Sequence, residues 1–246
     1  MTITSNDLEF LVLEDISCVD ADGTVFEQYD RLEVAKDVFR DNKGVHMNFT
    51  PHAGAVYSEE RGLFLPSFAL TCNILAALYA GMADVDFARV LQQYIDTDCG
   101  CGWHAQNTLV AYGTEEVVHY PTATDFGEQG AVNLGQRRTP LGFDKTTLQN
   151  ALLKDALRAP ASLRFVRQLT GLEDPRVLVE IGKYFEKPAR LWFPWSSQDG
   201  STYHEKRAAW VGCNYDNLDL NCDYSLYNYV VARGVRRASG APEARP

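Results

Sequence analysis

The sequence predicts an α+β fold in which antiparallel strands at both ends of the chain flank helical pairs. Three observations carry that prediction. Near the start, Leu8, Phe10 and Val12 alternate with partly polar neighbours. Ile16 to Val19 and Thr24 to Tyr29 then flank Asp22-Gly23, a dipeptide suited to the positive φ angles of a tight hairpin turn. In the middle, Phe87, Val90, Leu91, Tyr94 and Ile95 recur at helical spacing, which sets all five on one face. Towards the end, Ala189 to Phe193, Ala208 to Cys213, Leu218 to Cys222 and Tyr229 to Val235 are short strand-like runs.

The remaining elements follow in order. Leu32, Ala35, Val38 and Phe39 fit one face of a short helix, and Val45 to Phe49 and Ala55 to Tyr57 read as extended. Pro66-Ser67 opens a helix whose stripe Phe68, Cys72, Leu75 and Tyr79 runs to Gly81, and Asp84 caps the next one. Cys99-Gly100-Cys101-Gly102 interrupts the helical pattern before a second hairpin, Thr108 to Tyr112 and Val117 to Tyr120. Pro121 to Pro140 has no periodicity, and a segment of that kind inside a compact domain is often a functional loop or lid. Three helices come next. Leu148, Leu152 and Ala156 mark the first, and Leu163, Val166 and Leu169 the second, which ends at Gly171. The third has Asp174 as N-cap and Pro175 at its first position, with Val177, Leu178, Ile181 and Phe185 behind them. Residues 1–238 are expected to form a single domain, with a β-rich C-terminal subdomain from about Lys187 as the finer division and Ser239 to Pro246 as a frayed tail.

Composition narrows the function. The chain has 246 residues, 46% of them hydrophobic, so a large core is available. A net charge of -10 and a pI near 5.0 give a surface that repels nucleic acid and anionic membranes. The one basic cluster, Arg233, Arg236 and Arg237 followed by Arg245, is too small for a groove that tracks phosphates. The first ten residues lack the basic and apolar regions of a signal peptide, and Phe68 to Ala83 is too short and too polar for a membrane span. Six cysteines without an export signal point to thiols in a reducing compartment, hence a soluble cytoplasmic protein. His46, His52 and His204 read as surface groups.

Three local patterns suggest chemistry. Val19-Asp20-Ala21-Asp22-Gly23-Thr24-Val25 resembles the first motif of the haloacid-dehalogenase phosphatases. That resemblance implies Asp20 as nucleophile, Asp22 as proton shuttle, Thr50 as the second-motif hydroxyl and Mg²⁺ as cofactor. No lysine stands as the third motif, and no strand ends in the acidic pair that would hold the magnesium. Cys99, Cys101 and His104, with His119 across the expected hairpin, make up a possible four-ligand zinc set. The strand led by His104-Ala105 is similar to the histidine strand of papain-like and cell-wall cysteine hydrolases. This implies Cys72 as nucleophile near a helix N-terminus, with Asn107 or His119 orienting the imidazole. Cys213 and Cys222 lie symmetrically about Asn217-Leu218, a spacing that sets them nearly opposite in a hairpin.

A fourth pattern points to a scaffold. Trp195-Ser196-Ser197, Arg207-Ala208-Ala209-Trp210, and Tyr229 followed by Ala232-Arg233-Gly234-Val235-Arg236 resemble the end of C-type-lectin-like modules of the formylglycine-enzyme-like kind. The resemblance implies a binding scaffold rather than a catalyst. The sequence therefore favours a non-catalytic ligand-binding or interaction protein with a small-molecule or protein partner, and a hydrolase is the alternative. Its expected mouth is Pro121 to Pro140, near His104 and His119, where Arg137 and Arg138 suit an anion.

Overall fold

The computed structural model describes residues 8–95, 103–112, 114, 116–126, 136–140, 150–192, 206–213, 216–224 and 230–238. Helices account for 34% and strands for 35%, an α+β fold with mixed sheets.

Strands β1 (Phe10–Val19) and β2 (Val25–Ala35) pair antiparallel along their whole length, from Val19 opposite Val25 to Phe10 opposite Ala35. Asp20 shapes the turn between them. Its Oδ1 accepts from the backbone N–H of Asp22 at 2.9 Å and of Thr24 at 3.0 Å, and Gly23 supplies a φ of 84°. The expected hairpin is present. The helix expected over Leu32 to Phe39 is not, because Leu32, Val34 and Ala35 belong to β2 and each is 0% exposed. Burial of both neighbours Val34 and Ala35 breaks the two-residue alternation that would have marked a strand.

A two-residue strand, β3 (Asn48–Phe49), leads into α1 (Pro51–Glu59). Thr50 caps this helix by accepting from Ala53 N at 3.2 Å, and Pro51 occupies its first turn, so Ala55 to Tyr57 are helical rather than extended. Helices α2 (Phe68–Ala80) and α3 (Val85–Ile95) stand where the apolar stripes place them. Ser67 caps α2 through Leu70 N at 3.0 Å, and Asp84 accepts from Asp86 N at 2.8 Å at the start of α3.

Beyond these lie β4 (Trp103–His104), β5 (Thr108–Ala111), β6 (Glu116–His119), α4 (Ala123–Phe126), β7 (Arg137–Pro140), β8 (Ala151–Leu152), α5 (Leu153–Ala156), α6 (Pro160–Thr170) and α7 (Arg176–Tyr184). The chain then runs through β9 (Ala189–Trp192), β10 (Lys206–Cys213), β11 (Leu218–Tyr224), β12 (Val230–Val231) and β13 (Val235–Arg237). Two sheets result. The smaller has the order β1-β2-β13. The larger runs β3-β12-β4-β10-β11-β9-β8, with β5 also on β10, β6 on β5 and β7 on β6. The C-terminal strands are not purely antiparallel as expected, since β9 is parallel to β11 and β12 parallel to β4. Cys213 lies opposite Leu218, so the register separates it from Cys222, and the two form no disulfide.

Helix α2 is the centre of the core. Phe68, Ala69, Leu70, Cys72, Ile74, Leu75 and Leu78 are all 0% exposed, which is why a stripe of one residue in three or four understates its burial. Each buried leucine or phenylalanine contributes about 2–3 kcal/mol. Gly171 ends α6 at a φ of 63°, where an added Cβ would meet Ala69 Cβ at 2.8 Å. Its carbonyl accepts from Val19 N at 2.8 Å and Asn73 Nδ2 at 3.1 Å, joining α6, β1 and α2. Among the described residues no helix is long and apolar enough to cross a membrane.

Candidate functional site

The residues singled out by the sequence occupy separate surroundings. Asp20 sits at the tip of an antiparallel hairpin, with Oδ1 filled by two turn amides and Oδ2 at 3.3 Å from Arg137 Nη2. Asp22, exposed, pairs with Arg164 at 3.0 Å. The hydroxyl of Thr50 is taken by its helix. This layout differs from the strand-end nucleophile that the phosphatase resemblance implies.

Cys72 is 0% exposed in the second turn of α2. Burial, with Cys222 adding to it, pushes its thiol well above the ordinary range, the reverse of an activated nucleophile. His104 packs at a tilt on Tyr94, ring centres 4.3 Å apart, with Nε2 3.3 Å from the Gln93 carbonyl. Asn107 is buried, and its backbone bonds Pro66 O at 2.9 Å and Tyr120 N at 2.8 Å. Cys99 and Cys101 lie outside the described residues, among which no group of three or more His, Cys, Asp or Glu side chains is arranged to hold a metal. His52, expected at the surface, is 7% exposed against Phe126.

His119 belongs to a relay that builds the fold. Phe68 N, at the start of α2, donates to Thr108 Oγ1 at 2.9 Å, and that hydroxyl lies 2.9 Å from His119 Nδ1. The imidazole stacks on Phe26 at 5.7 Å, and the Arg137 guanidinium covers the same phenyl ring at 4.0 Å. Burial drives the His119 pKa down to about 4; the Gln168 carbonyl opposes this and Arg137 reinforces it. The ring is therefore neutral at pH 7. Arg138 is claimed by Asp125 at 2.6 Å and Glu116 at 3.4 Å, so an anion at either arginine would have to compete with a carboxylate.

A different constellation appears on the larger sheet. Along β9, β10 and β11 the residues Ala189, Leu191, Ala209, Val211, Cys213, Leu218, Leu220 and Cys222 turn one face to the core. The strand period of two then sets the residues between them on the opposite face. Register aligns them in two rows: Trp103, Gly212, Asp219 and Arg190, then Trp210, Asn221 and Trp192. Three of the chain's four tryptophans thus share a face with an acid, an amide and a guanidinium. Trp192 Nε1 donates to Asp219 Oδ1 at 3.1 Å. Asp219 is 2% exposed, and burial pushes its carboxyl up to about 6 against the opposing pull of Trp192 and Arg190. Arg190 also donates to Asn150 Oδ1 at 2.9 Å. Trp103, Trp192 and Arg190 are half-buried and form the more accessible flank.

Chemically, this face sets flat apolar walls beside polar groups that can accept and donate hydrogen bonds, with Trp210, Asp219 and Asn221 buried. The sequence marks Trp103, Trp192 and Trp210 as core or pocket-wall residues, as it does Trp195, which lies outside the described residues, but does not assemble them into one face. The alternation of Asp219 and Asn221 with Leu218, Leu220 and Cys222 was a local signal, but the pairing of β9 with β11 that adds Arg190 and Trp192 was not. Compared with family models, curated proteins and solved structures, the chain matches none.

Proposed function

We propose that this chain is a non-catalytic binding protein that takes a small polar ligand with a flat apolar side at the half-buried flank, Trp103, Trp192 and Arg190, of the β4, β10, β11 and β9 face that turns away from the core. The observation that carries the reading is the register alignment of Trp103, Trp192 and Trp210 with Asp219, Asn221 and Arg190. A buried acid with a displaced pKa beside aromatic walls is the kind of group that functional sites collect. Further support comes from the reactive candidates. Asp20 shapes a turn, Cys72 fills the core and His119 joins α2 to β6, so each has a role in the fold. A net charge of -10 favours a neutral or cationic small molecule over nucleic acid.

The test is a titration of tryptophan fluorescence and melting temperature with a panel of neutral sugars, nucleosides and free amino acids. At least one compound should shift the emission and raise Tm, and both Asp219→Asn and Trp192→Phe should weaken its binding at least tenfold. A panel without effect, or an effect that survives both substitutions, refutes the assignment.

A further inference from the structure

Glu27 lies on β2 directly opposite Cys18 of β1, on the side of the hairpin that faces α2. Its Oε1 accepts two phenolic hydroxyls, Tyr29 at 2.8 Å and Tyr120 at 2.5 Å. Tyr120, just past the end of β6, also bonds Ser67, the cap of α2. One carboxyl oxygen thus joins the hairpin, β6 and the central helix. The other, Oε2, is shielded from solvent and has no hydrogen bond among the described residues. It faces the Cys18 thiol, whose sulfur receives Asn73 Nδ2 at 3.5 Å.

The charges around this carboxyl are few. From β1 it meets Cys18, from β2 Tyr29, from the end of β6 Tyr120, and from β13 Arg237, while α2 contributes the neutral Ser67 and Asn73. Arg237 is exposed and sits 5.5 Å from the centre of the Tyr29 ring, and its charge acts on the acid without forming an ion pair. No ion pair to Glu27 occurs among the described residues. A shielded carboxylate without a cation is costly, whereas a carboxylic acid in the same place can donate from Oε2 and still accept at Oε1.

We propose that Glu27 is a proton-dependent latch: protonated, it holds the β1–β2 hairpin on α2 and β6; on losing its proton to water it leaves a shielded charge with no ion-pair partner there and loosens the hairpin. The direction of the Glu27 pKa agrees, since burial raises it above 4.5 while hydrogen bonds from Tyr120 and Tyr29, the charge of Arg237 and the Cys18 thiol oppose the rise. A folded-state value above the unfolded one means docking is strongest below the ordinary carboxyl range and weakens as pH rises through the folded value.

Hydrogen exchange of the hairpin peptide spanning residues 16–29, corrected at each pH for intrinsic exchange, tests the latch. Protection in the wild type should fall at least tenfold between pH 5 and pH 8. In Glu27→Gln, where an amide replaces the acid without a charge, the fall over the same interval should be at least fivefold smaller than in the wild type. Equal pH dependence in both proteins, or constant protection in the wild type, overturns the proposal. Should the variant not fold, carbon-13 NMR of glutamate-labelled wild type decides. A carboxyl titrating above the ordinary range and lost to no other assignment supports the latch, and every glutamate titrating normally overturns it.

Discussion

The relay at the start of α2 and the outer face of the larger sheet both bury a titratable side chain, but they use it differently. His119 is tied through Thr108 to the first N–H of α2 and stacked on Phe26, so its neutrality is built into the joint between helix and strand. Asp219 has Trp192 Nε1 as a donor, lies beside Arg190 and keeps a raised pKa. The first group supports structure. The second is a buried acid whose carboxyl is raised by desolvation, a costly state of the kind that binding groups often occupy.

The largest difference should come from breaking the relay. Thr108→Val keeps the shape but strands Phe68 N–H and His119 Nδ1, and urea unfolding should show a loss of about 3 kcal/mol. A loss below about 1 kcal/mol would mean the relay is incidental. Next is pH. His119, depressed from 6.5 to about 4, makes stability rise between those values by an amount of the order of 3 kcal/mol. Asp219, raised from 3.8 to about 6, makes stability fall across its own window by an amount of the order of 2 kcal/mol, and Glu27 adds to the fall. His119→Gln should therefore leave a stability that only declines from pH 4 to 6.5. Identical profiles in variant and wild type would contradict the buried neutral ring.

Asp219→Asn should give a smaller effect of opposite sign. The amide oxygen still accepts from Trp192 while the penalty for burying a charge disappears, so the variant should be more stable at pH 7 by about 1 kcal/mol. Destabilisation by that amount would make Asp219 a structural acid instead. Smallest is Arg138→Ala. This residue is 39% exposed and paired to carboxylates, so its loss should change stability by no more than about 0.5 kcal/mol.

How legible all this was depended on range. Helices α2 and α3 were readable because Ser67, Asp84 and their apolar stripes act within a few residues. Helix α1 announced itself only through Thr50-Pro51, a cap followed by a first-turn proline, which outweighs the extended look of Ala55 to Tyr57. Leu32 and Ala35 mimicked helical spacing because the end of β2 is buried on both sides. The Asp-Gly turn was legible as a hairpin, and the same residues suggested a phosphatase motif because both uses favour a carboxylate beside a glycine. The Glu27–Tyr120 contact spans 93 positions and Trp192–Asp219 spans 27, so no local pattern announces either.

The most direct measurement is a thermal-shift comparison, with the compound that stabilises the wild type, across Asp219→Asn, Asp20→Asn and Cys72→Ala. Binding on the outer sheet face predicts that the shift disappears in Asp219→Asn and persists in the other two. A shift that persists in Asp219→Asn and vanishes in Asp20→Asn would move the site to the hairpin tip and contradict the account.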